Sequence, residues 1–84
     1  MITAAQLRAA RAMLHMDQRK LANLSDLSLP TIQRMEASEG VIRGNVDSLM
    51  KLVAALDASG IELISDNATS SGGGRGIRLK RPPA

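Results

Sequence analysis

The sequence of 84 residues contains no cysteine and no aromatic residue, and it carries a formal net charge of +3. That composition excludes a disulfide framework, a thiolate metal site, a cysteine nucleophile and an aromatic platform for stacking bases; it leaves Leu, Ile, Val, Ala and Met to build one small core, too small to enclose a cofactor comfortably. No apolar run reaches the roughly 18 residues of a membrane span, and Arg8 and Arg11 interrupt the opening stretch where a secretory signal needs continuity, so the expected setting is cytoplasmic with no membrane partner.

In chain order, Thr3 with Gln6 three residues later has capping-box spacing, and Leu7, Ala10, Met13 and Leu14 form the inward stripe of a first helix ending near His15. His15, the single histidine, reads as a surface or helix-terminal residue rather than a ligand or a base. Met16 packs under the start of a second helix capped by Asp17, with Leu21, Ala22 and Leu24 on one face. Ser25-Asp26-Leu27 is a tight turn with Leu27 pointing inward, and Ala22 is small enough to let the next helix approach. That third helix has Ser28 as its cap, Pro30 in a first turn where the missing N–H is harmless, and Ile32 and Met35 facing in. Leu29 precedes a proline, which predicts an irregular start.

A loop follows, with Gly40 suited to a left-handed helix end and Val41-Ile42 able to tuck inward. Asn45 caps a fourth helix carrying Val46, Leu49, Leu52, Val53 and Leu56 at helical spacing, and Gly60 stops it. Met13, Met16, Met35 and Met50 read as adaptable core filler rather than as a binding surface.

Beyond Gly60 the period changes. Residues 61–65 and 75–80 read as two strands, with Ile77 and Leu79 on one face and Arg78 and Lys80 on the other; the connector 66–74, rich in Asn, Ser and Gly, is expected to be mobile. A lone hairpin is marginal in water, so this one either packs on the helices or pairs with the hairpin of a second copy. The fold class is therefore mostly α: a four-helix domain over residues 1–59, a β-hairpin extension over 60–81 expected to dimerise through Ile61, Leu63, Ile77 and Leu79, and a disordered tail at 82–84.

Charge is unevenly distributed. Residues 1–43 carry Arg8, Arg11, Arg19, Lys20, Arg34 and Arg43 against Asp17, Asp26, Glu36 and Glu39, whereas residues 44–66 carry Lys51 against Asp47, Asp57, Glu62 and Asp66. Arg75, Arg78, Lys80 and Arg81 follow with no acid. Half the positive argument for nucleic acid thus sits in the tail, which reads as a solubility aid, a partner strand or a phosphate-binding arm.

Two motifs, Gln18-x-x-Leu21-Ala22 and Leu27-Ser28-x-Pro30-Thr31-Ile32-x-Arg34-x-Glu36, make residues 3–57 resemble the Cro/repressor-type helix-turn-helix family, often called XRE. The hairpin resembles an extension found in small bacterial members. The resemblance implies a four-helix Cro/repressor-like domain whose recognition helix, residues 28–37, lies in the major groove of double-stranded DNA, with dimers spanning two half-sites. Carried over residue by residue, it implies base contacts from Ser28, Leu29, Pro30, Thr31, Gln33 and Arg34, and phosphate contacts from Gln18, Arg19, Arg43 and Asn45. It further implies a structural ion pair between Arg11 and Glu36. The chain departs from the family at Asp26, where glycine is usual, at Leu29, often a polar base reader, and at Asp17, which sets a negative charge beside a phosphate position.

The expected function is that of a sequence-specific, dimeric bacterial or phage-type transcriptional regulator, a repressor acting at the nucleoid, with no cofactor, no metal and no catalysis. An alternative is an antitoxin-like or co-regulator module whose hairpin adds to the sheet of a partner protein. A regulatory protein partner is compatible with either.

Overall fold

Each helix begins where a polar side chain can close its first turn. Thr3 Oγ1 accepts from the Gln6 N–H at 3.1 Å, Asp17 Oδ1 from Lys20 at 2.7 Å, Ser28 Oγ from Thr31 at 3.2 Å and Asn45 Oδ1 from Ser48 at 2.7 Å. In the computed structural model, which describes residues 2–64 and 74–80, these caps open α1 (Ala4–Met13), α2 (Gln18–Ser25), α3 (Leu29–Glu36) and α4 (Val46–Ala58). Strands β1 (Ile61–Ile64) and β2 (Gly76–Leu79) complete the order as one antiparallel pair. The irregular start expected at Leu29 does not occur: Leu29 is already helical, and the Ile32 N–H reaches the Ser28 carbonyl at 3.1 Å.

Helices α1 and α2 both end through a residue with positive φ that is not glycine. His15, at φ 52, lets the Met16 N–H return to the Arg11 carbonyl at 3.1 Å; Asp26, at φ 57, lets the Leu27 N–H return to the Ala22 carbonyl at 3.0 Å. This geometry satisfies carbonyls that the last turn leaves without partners. It also folds Leu27 back onto the core, so that α2, its turn and α3 form a helix-turn-helix.

Ile2, Leu7, Leu21, Ile32, Leu52, Leu56 and Ile61 are the largest fully buried side chains, joined by Met35, Ile42 and Leu49. Ile2 belongs to this set because the chain before α1 is tied to the loop after α3. The Ile42 N–H donates to Ile2 and the Ala4 N–H to Gly40, each at 3.0 Å, while Thr3 bridges Val41.

The hairpin packs on its own helices, β2 against α1 and β1 against α4. Its register sets Ile61 opposite Leu79 and Leu63 opposite Ile77. Ile61 enters the same core as the helices, and Leu63 and Ile77 pack against it. Gln6 fastens the other end: its amide donates to both the Ile64 carbonyl at 3.2 Å and the Gly76 carbonyl at 2.9 Å, while its Oε1 accepts from the Thr3 N–H at 2.9 Å. Residues 65–73 and 81–84, which include the tail expected to be disordered and all but Gly74 of the connector expected to be mobile, lie outside the described residues.

Several apolar residues face outward where helical spacing predicts an inward face. In α2 the buried arc is Leu21, Ala22 and Ser25, which turns Leu24 outward; the Ser25 hydroxyl makes this arc possible by donating to the Leu21 carbonyl at 2.8 Å. Met13 and Val46 are likewise exposed, at the far edges of their stripes. Met35 is the buried core methionine expected, but Met50 is 64% exposed and fills no part of the core. Among the described residues, no helix is long and apolar enough to cross a membrane.

Candidate nucleic-acid interface

Helix α3 divides cleanly by burial. Ile32, Met35 and Glu36 face inward, whereas Ser28, Pro30, Gln33 and Arg34 are exposed and Leu29 and Thr31 are half-buried. The six residues expected to contact bases therefore lie on one outward surface, to which Leu29 and Thr31 contribute only their edges. The hydroxyls of Ser28 and Thr31 are 2.7 Å apart and bond to each other, which ties both to the start of the helix.

Behind α3, Glu36 holds three other side chains in place. Its carboxylate accepts from Arg11 Nε at 2.7 Å and Nη2 at 2.9 Å, and from Gln18 Nε2 at 3.1 Å; its backbone carbonyl accepts from Arg8. Arg11 reaches further, to the Met16 carbonyl at 3.1 Å. Helices α1, α2 and α3 thus meet on one buried carboxylate. Burial by itself pushes the Glu36 carboxyl up, but the hydrogen bonds from Arg11 and Gln18 and the positive charges of Arg11 and Arg8 outweigh it, so its pKa lies below the ordinary glutamate value. The hydrogen bond to Glu36 raises the pKa of Arg11 in turn.

Gln18, expected at a phosphate, commits one of its two amide hydrogens to Glu36. Arg8 supplies a contact that sequence reasoning missed: its guanidinium caps the last carbonyl of α3, where a positive charge also complements the helix dipole. The signal was its i, i+3 spacing with Arg11 on α1.

Ion pairs sort the remaining charges. Arg78 pairs with Glu62 at 2.7 Å and Lys80 with Asp57, while Lys51 lies 3.5 Å from Asp47 and 3.7 Å from Asp26. Arg78, Lys80 and Lys51 are thereby matched by acids of the hairpin and of α4, Lys51 also by Asp26 in the turn after α2. Arg19, Lys20, Arg34 and Arg43, all exposed, have no acidic partner among the described residues. These four lie in α2, in α3 and in the loop after α3. Asn45, also exposed, spends its side-chain oxygen on capping α4.

The four residues expected at a dimer contact are mostly engaged within one chain. Ile61 is 2% exposed in its own core, and Leu63 and Ile77 pack against that core; Leu79, 45% exposed, is the one that faces solvent substantially. Among the described residues, no group of three or more His, Asp or Glu side chains is arranged to hold a metal ion. No protein-family model matches the chain, and no curated protein matches it either.

Proposed function

We propose that the protein is a sequence-specific double-stranded DNA-binding transcriptional regulator, a repressor that inserts α3 into the major groove and acts as a dimer on chromosomal DNA in the cytoplasm. The observation that carries this reading is the placement of unpaired cations. Internal ion pairs engage Lys51, Arg78 and Lys80, whereas Arg19, Lys20, Arg34 and Arg43, along the helix-turn-helix, have no acidic partner among the described residues and can meet an anionic one. The likeness of residues 18–36 to Cro/repressor-type proteins supports the same surface.

In this reading the parts have distinct tasks. Arg34, with its fork of N–H donors, pairs with guanine edges and Gln33 with adenine, while Pro30 and the edge of Leu29 touch thymine methyls. Arg19, Arg43 and the second amide hydrogen of Gln18 contact phosphates, as does Asn45 through its amide nitrogen, and these contacts set the register without reading sequence. Glu36 is a positioning residue, because it holds Gln18 through a hydrogen bond and α1 through Arg11.

Selection from random duplexes at near-physiological salt tests the proposal. An enriched motif with two similar half-sites about one helical turn apart is expected. Recovery of no sequence above the unselected pool contradicts it.

A further inference from the structure

Helix α4 is apolar around far more of its circumference than the core uses. Leu49, Leu52, Ala55 and Leu56 are buried, which already gives the arc of roughly 100° that a surface helix needs. The apolar surface nevertheless continues through Val46, Met50, Val53 and Ala54. Val46 is 71% and Met50 64% exposed, the highest values among the exposed large apolar residues described. At 3.6 residues per turn, Val46, Met50, Val53 and Asp57 fall within one stripe about 60° wide. An open groove of about 360 Å³, lined by Leu49, Met50, Val53, Ala54 and Asp57, runs along it.

We propose that this stripe is the surface through which two copies of the chain associate, their α4 helices antiparallel about a two-fold axis passing between Met50 and Val53. Charge selects the occupant. Asp57 pairs with Lys80 and Asp47 with Lys51, so no lone charge flanks the stripe for an oppositely charged partner, whereas a second copy covers the apolar middle, Met50 and Val53, with its own apolar middle and leaves both exposed ion pairs at the rim.

The stripe is also complementary to itself. Its midpoint falls between Met50 and Val53, so a two-fold brings Met50 of each copy against Val53 of the other, and sets Val46 beside the Asp57–Lys80 pair at the exposed rim of the seam. Methionine, flexible and unbranched, adapts to such a seam. The hairpin residues that offered another route to a dimer are largely consumed by the chain's own core.

Size sets the strength. Thirteen residues make a helix about 20 Å long, and a single stripe of that length covers less than the about 1,200 Å² at which standard stable interfaces begin. The pair is therefore weak and concentration-dependent, and it is completed when both copies engage one operator. This deepens the DNA-binding reading by supplying its second copy; because the test below contains no DNA, the two can fail separately.

The test is sedimentation velocity on the full chain from about 10 µM to about 1 mM, for the parent, Met50→Glu, Met50→Lys and an equimolar mixture of the two variants. The high exposure of Met50 leaves the fold intact on substitution, which thermal melting by circular dichroism checks. The parent's mean mass should rise toward that of a dimer. Each variant, facing its own charge across the axis, should associate ~10-fold more weakly or less, and the mixture should recover association. A parent that stays monomeric throughout overturns the proposal, as does a charge variant that associates like the parent or a mixture that fails to recover.

Discussion

Arg11 and Glu36 meet edge to edge, Nε on Oε2 at 2.7 Å and Nη2 on Oε1 at 2.9 Å, and this two-bond contact joins the first helix to the third. The carboxylate side is nearly enclosed, at 5% side-chain exposure, whereas Arg11 keeps 24%. Removing either partner leaves the other charge poorly solvated. Arg11→Met or Glu36→Leu should therefore each cost about 2–3 kcal/mol, somewhat less than for a fully buried pair, and the double variant should cost less than the sum of the two. Urea denaturation of the four proteins measures this directly; additive losses would mean that the pair carries no coupling.

Acid should release the same contact. Because the folded-state pKa of Glu36 lies below its unfolded value, its contribution is fully present above the ordinary glutamate pKa of about 4.3 and is lost as pH falls through the lower folded value. The stability difference between the parent and Glu36→Gln should thus be largest near neutrality and shrink in acid. Urea midpoints between about pH 7 and pH 3 follow it, and a difference independent of pH would remove Glu36 as the responsible group.

Gln6 does two jobs that one substitution separates. A glutamate at this position can still accept from the Thr3 N–H, but it cannot donate to the Ile64 and Gly76 carbonyls. Gln6→Glu should keep the Thr3 N–H bonded while destabilising the hairpin by at least about 1–3 kcal/mol, since two acceptors lose their donor and a carboxylate is set facing them at a position only 6% exposed. Amide hydrogen exchange should then show weaker protection in Glu62, Ile64 and Arg78, whose N–H groups lie in the hydrogen-bonded pairs of the hairpin, and unchanged protection in α1 and α3.

The left-handed turn residues offer a gain. Asp26→Gly and His15→Gly should each raise stability by about 0.5–1 kcal/mol, since glycine holds a positive φ without the steric penalty of a Cβ. Asp26→Gly also removes an ion pair to Lys51, but this offsets little of the gain, because the Asp26 side chain is 93% exposed. Melting temperatures ordered Gly above Asp above Ala at position 26 fit the strain argument, and Ala above Gly contradicts it.

What could be read from the residues alone was mostly local. The caps at Thr3, Asp17, Ser28 and Asn45 and the stop at Gly60 all depend on neighbours within a few positions, and each occurs as read; Gly40 is left-handed as read, but it lies in the loop, because α3 already ends at Glu36 with Ala37 as a right-handed cap. Periodicity shows that Leu21 and Leu24, or Val46 and Leu49, are close on a helix, but not which arc the rest of the chain covers; hence Leu24, Val46 and Met50 face solvent. A serine at position 25 gave no apolar signal for burial, because its hydroxyl is satisfied within its own helix. The clamp from Gln6 to Ile64 and Gly76 spans most of the chain and has no spacing to betray it. At the site, the outward set on α3 and the link between Arg11 and Glu36 were legible only through family resemblance, and the role of Gln18 as a ligand of Glu36 was not.

The DNA-binding proposal turns on Arg34, an exposed arginine on α3 with no acidic partner among the described residues. The deciding measurement is fluorescence anisotropy on a selected duplex and a scrambled one, at fixed salt, for the parent, Arg34→Ala and Arg43→Ala. Arg34→Ala should lose about 1–3 kcal/mol on the selected duplex and little on the scrambled one, collapsing the preference; Arg43→Ala should weaken both alike. If Arg34→Ala discriminates between the two duplexes as well as the parent, α3 does not read the bases.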